Sequence, residues 1–392
     1  MSIVCPICGS TSFEPLVDFG VIPVSGTLLP DVHASFQSQA NAFDYCTQCA
    51  LIRRRGGAPP KDYAVVDRPT RAQLPAYMDG ILNRLEELCP DRNALIVDIG
   101  GNDGGFLDLL RQRGYANLLN VEPSAALADL CRQAGHKVYN ACLDPDLARC
   151  IQDMHGPAQV VFCRHVLEHV PDPAGFVQAV RSLLRESGWL CMELPDARGV
   201  LHHMLGHELW DEHLFHYTPD ALVSLLAAAG FAPAVPESHP HRDGLNILVW
   251  TTTGPPATAT PRATDRDLAA ARTFAQCWGA LARRIRAQAE SWPAPVVCIG
   301  ASHPQANYLL FTGLGERIAC LVDDAPAKVG RYVPLPGLRP VVSTAQILAG
   351  PTPGTVLRTA FGCHSWMDAI CGPLRQRGAL IVEPYPDAPA AL

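Results

Sequence analysis

Long apolar runs are absent from this 392-residue sequence, and nothing in it approaches the roughly 20 consecutive apolar residues that cross a bilayer. Its first residues, Met1-Ser2-Ile3-Val4 and then Cys5, lack the basic region and apolar run of a secretory signal. Both absences lead to the expectation of a soluble, cytoplasmic protein with no membrane partner. Charge is sparse too: 18% of residues are charged, the formal net charge is −7, and no Lys/Arg run occurs. Binding to a phosphate backbone rests on many cationic contacts, so no nucleic acid is expected as a partner. Repeats of the solenoid kind are missing as well. What is present is a composition 48% hydrophobic, which suits packed α/β material and not a disordered chain. The length exceeds what one core usually supports, so two or three domains are expected.

Cysteine, by contrast, is plentiful, at fifteen. Eleven lie singly in the sequence, many in apolar runs such as Val161-Phe162-Cys163 and Trp189-Leu190-Cys191-Met192, and are read as reduced core residues. The other four make Cys5-Pro6-Ile7-Cys8 and Cys46-Thr47-Gln48-Cys49. Each Cys-x-x-Cys is a tight knuckle offering two thiolates, and together they supply the four sulfurs that favour tetrahedral Zn²⁺. Four protein ligands leave no position for water. Zinc on Cys5, Cys8, Cys46 and Cys49 would therefore be structural, folding a segment too small for its own core. A redox Cys-x-x-Cys is the competing reading.

Punctuation divides the chain. Gly56-Gly57-Ala58-Pro59-Pro60 ends the cysteine-bearing region, taken as 1–70. A helical stretch over 72–88 follows. Strands at 94–99, 118–122, 160–165 and 189–194 then alternate with helical patterns at 106–113, 125–134 and 174–184, which predicts a parallel doubly wound sheet over 71–252. The Thr-, Pro- and Ala-rich stretch 253–265 reads as a linker. A long helix over 266–291 and a strand over 296–300 open a second βα series, expected to form a C-terminal Rossmann-like α/β domain over 266–392.

The first strand of the central domain runs into Asp98-Ile99-Gly100-Gly101-Asn102-Asp103-Gly104-Gly105 and then into a helix. Small residues there let a ligand approach the backbone, and the helix N-terminus faces it. A dinucleotide fold uses the same logic. Its Gly-x-Gly-x-x-Gly needs a middle glycine where pyrophosphate meets the backbone, and Asn102 stands at that place. S-adenosylmethionine has no pyrophosphate, and its ammonium suits a strand-end carboxylate such as Asp98. Glu122 ends the second strand at the offset where an acid meets ribose hydroxyls. The loop thus favours S-adenosylmethionine, and the central domain is expected to be a Rossmann-like class I methyltransferase domain.

In their order along the chain these features resemble the zinc-containing sugar C-methyltransferases that act on nucleotide-linked 4-keto-deoxysugars. The similarity is carried by the cysteine pairs with Asp18-Phe19-Gly20-Val21-Ile22-Pro23 between them, and by the glycine loop followed by Val121-Glu122-Pro123-Ser124. It continues through Arg164-His165-Val166-Leu167-Glu168-His169-Val170-Pro171-Asp172 and Trp210-Asp211-Glu212-His213, and ends in Val322-Asp323-Asp324-Ala325-Pro326-Ala327-Lys328-Val329-Gly330-Arg331-Tyr332. The resemblance implies cofactor contacts from Asp98, Gly100, Gly101, Asn102, Asp103, Gly104, Glu122, Pro123 and His165. It implies carbon methylation beside a ketone, in which a base removes an α-proton and the enolate carbon attacks the sulfonium methyl. Imidazole has the pKa such a base needs. Matching to the family nominates His213 as base, Glu212 as its acidic neighbour, and His169 at the substrate end of the fourth strand. The expected partner is a small molecule, a nucleotide-activated keto-sugar, whose nucleotide the C-terminal domain helps to bind. Tyr63, Trp210, His241, Lys328 and Arg331 are the candidate substrate contacts.

Three stretches depart from the family. Trp210 replaces a tyrosine, and indole can donate a hydrogen bond but cannot act as acid or base. His241-Arg242-Asp243-Gly244-Leu245-Asn246 stands where a smaller His-Gly-Gly-Ser loop is usual, and Gly300-Ala301-Ser302-His303-Pro304-Gln305 lacks a lysine and a glycine. His202, His203, His207, His213 and His216 cluster in sequence, but without the His-x-x-x-His and carboxylate spacing of a zincin.

Overall fold

The computed structural model describes residues 4–56, 77–241, 244–255, 262–360 and 363–383. At the amino end β1 (Phe13–Pro23), β2 (Ser38–Cys46) and β3 (Ile52–Arg54) pair antiparallel. The middle of the chain runs α1 (Met78–Leu88), β4 (Ile96–Ile99), α2 (Gly105–Gln112), β5 (Leu118–Val121), α3 (Ala125–Gln133), β6 (Lys137–Tyr139), α4 (Pro145–His155) and β7 (Ala158–Arg164). It continues with α5 (Pro173–Leu183), β8 (Leu184–Pro195), α6 (Ala197–His203), β9 (Phe215–His216), α7 (Pro219–Ala228), β10 (Glu237–His241) and β11 (Gly244–Thr252).

Seven of these strands form one sheet, in the order β10-β11-β8-β7-β4-β5-β6. From β6 to β8 neighbours are parallel, and β11 enters antiparallel. All four residues of β4 and of β5 are buried, as strands covered on both faces require. The chain leaves β4 toward β5 and β6 on one side and returns through β7 and β8 on the other. Their carboxyl ends therefore open a crevice between β4 and β7, where ligands of doubly wound sheets bind.

After residue 262 the chain forms α8 (Asp265–Ala289), β12 (Val296–Ile299), α9 (His303–Thr312), β13 (Ile318–Val322), β14 (Tyr332–Val333) and β15 (Arg339–Val342), then α10 (Thr344–Ala349), β16 (Thr355–Arg358), α11 (His364–Gln376) and β17 (Leu380–Val382). Their sheet has the order β14-β15-β13-β12-β16-β17, parallel except for the β14 edge. No helix among the described residues is long and apolar enough to cross a membrane.

Two connections were not legible in the periodicity. The two-residue strand β9, from the middle of the chain, completes the N-terminal sheet by pairing Ile52 with His216 and Arg53 with Phe215. One apolar cluster also joins all three regions: Leu16, Phe43 and Ile52 from the first sheet, Val200, Leu201 and Leu209 from the second region, and Phe274, Trp278 and Phe311 from the third. Phe19 stacks on Phe311 with ring centroids 3.6 Å apart, and Trp278 meets its edge. The expectation that all eleven scattered cysteines are core residues needs correction. Cys142, Cys150, Cys277 and Cys363 are exposed: Cys142 in the loop before α4, Cys150 on α4, Cys277 on α8 and Cys363 at the start of α11.

Candidate active site

The glycine loop leaves β4 at the crevice. Gly100 and Asn102 both have positive φ, and asparagine is among the few side chains that tolerate that region. A Cβ at Gly101 would lie 2.5 Å from Asn120 Oδ1 and 2.7 Å from Asp98 Oδ2, so this glycine is required by the protein's own packing as well as by ligand approach. Asn120 was not anticipated. Its Oδ1 accepts from Gly101 N–H at 3.0 Å, and its amide donates to the Asn102 carbonyl at 3.0 Å, pinning the loop from the neighbouring strand. Glu122 accepts from Asn102 N–H at 2.9 Å and from Ser124 N–H at 2.8 Å. Asp103 Oδ1 accepts from Gly105 N–H at 3.3 Å, and Asn140 clamps the Glu122 and Pro123 carbonyls at 2.8 and 2.9 Å.

Asp98 is buried beneath the loop, and its Oδ2 has no hydrogen-bond partner. Burial pushes its pKa up to about 6, against the Arg164 guanidinium 3.9 Å away and with help from Glu122. An orphaned buried carboxylate under a glycine loop fits the ammonium of S-adenosylmethionine, which would restore its charge. Because the fold favours neutral Asp98, the stability this group contributes is fully present below its unfolded pKa and is lost as pH rises through about 6. Asp98→Asn should accordingly stabilise the fold at pH 7.5, by about 2–3 kcal/mol at most, while weakening S-adenosylmethionine binding about tenfold or more. Thermal denaturation and titration calorimetry check both signs; a lower melting temperature with unchanged affinity contradicts the assignment.

Beyond β7 the chain turns at His165, whose φ is 54°. Its Nδ1 lies 3.6 Å from Glu168 Oε1 and its Nε2 3.8 Å from Glu193 Oε1. Burial opposes its protonation, but the two carboxylates outweigh burial and raise its pKa. Glu193 Oε1 also accepts from Tyr77 Oη at 2.6 Å and Asn246 Nδ2 at 2.7 Å, with His239 Nε2 at 3.3 Å. Burial pushes the Glu193 carboxyl up, yet His239, His165, Tyr77 and Arg164 together hold it well below the usual carboxylate range. Tyr77, Glu193, His239 and Asn246 were all missed from sequence, since three distant segments supply them. Tyr63 lies outside the described residues, and so do residues 242–243 of the altered loop. The backbone of His241 ends β10 opposite Gly244.

The predicted acceptor-side residues do come together. His169 and His213 have ring centroids 4.9 Å apart, and Trp210 lies 4.7 Å from His213 and 6.1 Å from His169. Glu212 enters through its backbone carbonyl, 2.9 Å from His169 Nδ1. A carbonyl can only accept, so Nδ1 of His169 carries the hydrogen. His213 is buried, and burial with His169, His216, His303 and His165 around it pushes its pKa well below the usual value. Glu168, within hydrogen-bonding reach of neither ring in sequence terms, lies with them: its carboxylate and one nitrogen of each ring are within 4.8 Å of one another. The five-histidine metal cluster does not form among the described residues; His213 is the one of the five in this group.

The C-terminal region also reaches this point. His303, at the start of α9, stacks on Trp210 with centroids 3.8 Å apart and planes 12° apart. Two departures from the resembled family thus meet in space. Farther along, Lys328 is buried with its ammonium donating to Asp323 Oδ2 at 2.6 Å, and Arg331 is exposed. Asp323 accepts from Ala301 and Ala325 N–H at 3.2 and 3.0 Å, repeating at β13 the role of Glu122 at β5.

The four knuckle cysteines lie apart from the crevice. Cys5 Sγ is 3.6 Å from Cys49 Sγ, Cys8 Sγ is 3.5 Å from Cys46 Sγ, and all four sulfurs are within 4.8 Å of one another. Zn–S bonds of about 2.3 Å set tetrahedral sulfurs roughly 3.8 Å apart, so the donor set fits zinc. Hydrogen bonding from Cys49 and Cys5 lowers the Cys46 thiol, while contact with Cys46 raises both Cys5 and Cys49.

Residues 70–234 match the family described as Methyltransferase domain. The chain is 26% identical over 384 residues to the C-methyltransferase NovU of Streptomyces niveus, covering 91% of this chain and 89% of that protein. It is 30% identical over 115 residues to a ubiquinone biosynthesis O-methyltransferase of Albidiferax ferrireducens, over 28% of this chain and 44% of that protein. Among solved structures, a SAM dependent methyltransferase from Archaeoglobus fulgidus aligns with 45% of this chain and 94% of its own, at 15% identity and a TM-score of 0.38.

Proposed function

Since this chain is an S-adenosylmethionine-dependent methyltransferase, similar over nearly its whole length to a C-methyltransferase, we propose that it methylates carbon beside the ketone of a nucleotide-linked keto-sugar. The observation that carries this reading is the His169–His213 pair beside the cofactor loop. A Cβ at Gly100 would strike Val166, so the segment bearing His165 and His169 lies directly against that loop. Bound S-adenosylmethionine supplies an electrophilic methyl on sulfur. The chain's own residues then divide the work. Asp98, the backbone of 100–104 and Glu122 hold the cofactor, with Pro123 and His165 beside them. His213, kept neutral by burial, takes the α-proton; Glu212 fixes the tautomer of His169 through its carbonyl. His169 lines the acceptor side, and a protonated ring there would donate to the developing oxyanion. Trp210 and His241 are the candidate acceptor contacts, and Arg331 is the candidate phosphate contact, joined by Lys328 only if phosphate competes for its ion pair with Asp323. Zinc on Cys5, Cys8, Cys46 and Cys49 is structural.

The test is incubation with methyl-labelled S-adenosylmethionine and a panel of nucleotide 4-keto-6-deoxysugars. The expected product is carbon-methylated sugar with one S-adenosylhomocysteine per methyl. A second reading, a different small acceptor, is favoured by the Trp210–His303 stack, which puts two planar rings where the family has a hydroxyl. Label appearing only on oxygen or nitrogen of another acceptor would select it.

A further inference from the structure

Glu168 is 1% exposed, and neither of its carboxylate oxygens has a hydrogen-bond partner. Such a group is strongly unfavourable unless nearby charge compensates it. Burial pushes its pKa up, but His165 and His169 outweigh burial and keep it below the ordinary value, so the carboxylate is ionised. Burial chiefly, and then the Glu168 charge, raise Cys163 and Tyr217, and Glu168 acts after Glu208 in opposing the fall of His216 that burial causes. The other groups around the histidine pair are His165 and Arg164 from the end of β7, His216 from β9, His303 from α9 and Trp210 between, with Glu208 facing His216 and the buried Asp211 turned to Ser25, Gln39 and Arg54. Glu193 and Asp98 lie on the cofactor side, with Glu193 nearest His165 and His239.

A proton arriving on His213 therefore enters a buried site ringed by other imidazoles, which resists a positive charge. The carboxylate grouped with both rings is that of Glu168. We propose that Glu168 is the positioning carboxylate of this histidine pair, holding the positive charge that arises there when the acceptor loses its α-proton. This rests on the carbon-methylation reading. In the step, the C–H bond breaks, its proton goes to a ring nitrogen of His213, and its electron pair becomes the enolate. The enolate carbon then bonds the methyl as the S–CH₃ pair returns to sulfur, giving neutral S-adenosylhomocysteine. The imidazolium stays above Glu168 until the proton leaves to solvent.

Zinc-loaded, full-length protein labelled with ¹⁵N-histidine, saturated with S-adenosylhomocysteine, is titrated by NMR as wild type, Glu168→Gln and Glu168→Asp. The expectation is that Glu168→Gln lowers the proton affinity of His165 and His169 about tenfold, one pH unit, and that Glu168→Asp recovers most of it. With a nucleotide 4-keto-6-deoxysugar, Glu168→Gln should lower kcat on the order of 100-fold and move the pH profile in the same direction, with KM for the cofactor unchanged. Unmoved titrations and pH profile overturn the proposal, and so does a second divalent ion per chain, found by mass spectrometry in wild type and lost in Glu168→Gln, because Glu168 would then be a metal ligand. If Glu168→Gln fails to fold by circular dichroism, Glu168→Asp, whose carboxylate is set back by one methylene, should move the titrations and the pH profile by a smaller amount in the same direction, and unmoved ones overturn the proposal. Titrations that shift while wild type methylates no keto-sugar carbon would uphold the charge coupling but sink the carbon-methylation reading, and the catalytic part of the proposal with it.

Discussion

His213→Ala should lower methyl transfer by about 10²–10⁴-fold, the usual contribution of a positioned general base. Its effect on S-adenosylmethionine affinity should be small, because the proposed cofactor contacts lie on another wall of the crevice: Asp98 below the loop, and Glu122 just after β5. The alanine also removes a buried ring whose Nδ1 has no partner, so little hydrogen bonding is lost with it. Single-turnover assays with calorimetry in parallel separate the two effects. Turnover that survives the substitution removes His213 from the chemistry; loss of cofactor binding would mean the ring belongs to the cofactor site instead. No acidic limb near neutrality is expected from His213 itself, since its pKa lies well below the ordinary imidazole value and the ring is neutral throughout the working range.

The cofactor site was legible because its information is local. Strand, glycine loop, helix, second strand and acid follow one another from Ile96 to Glu122, and the β4–β5 pairing needs no distant partner. The functional importance of Glu168 was hidden for a different reason. In sequence it is one acid among Arg164-His165-Val166-Leu167-Glu168-His169; only the one-turn helix over Leu167–His169 and the return of the chain at His213 bury it between two imidazoles. Asn246, opposite Pro195, reaches Glu193 diagonally because β11 re-enters the sheet antiparallel beside β8, a pairing set by tertiary packing and not by the period of either strand. The glycine loop itself changed meaning: Gly101 leaves room for Asn120 and Asp98, so part of what looked like ligand clearance is internal packing. Likewise Lys328, read as a phosphate contact, already has a carboxylate partner in Asp323, and any phosphate there meets an ion pair.

Loss of the four-cysteine cluster should disable the acceptor side of the crevice and spare the cofactor side. Cys46 ends β2, Cys49 lies three residues before β3, and β3 pairs directly with β9, two residues beyond His213. Arg54 N–H donates to the Leu214 carbonyl at 2.8 Å, and Asn41 Nδ2 to the Leu209 carbonyl at 3.2 Å. Asp211, fully buried, accepts from Ser25 N–H at 3.1 Å and from the Gln39 amide, and the charge of Arg54 faces it. The segment 209–216 is thus held as much by the knuckle-bearing sheet as by its own domain. Structural zinc contributes roughly 10–16 kcal/mol of folding free energy in small zinc domains, so its loss should loosen β2 and β3 and release that segment. Cys46→Ser is expected to lower zinc content, raise amide exchange over 211–217 and cut turnover at least about 100-fold, while S-adenosylmethionine affinity stays within about threefold. The Asp98 loop packs against β5 and β7 and shares no strand with the N-terminal sheet, which is why its binding should survive. Amide exchange over 211–217 that stays at the wild-type rate in zinc-free protein would show that the histidine segment is fixed by its own domain, and that the coupling through β3 and β9 carries no function.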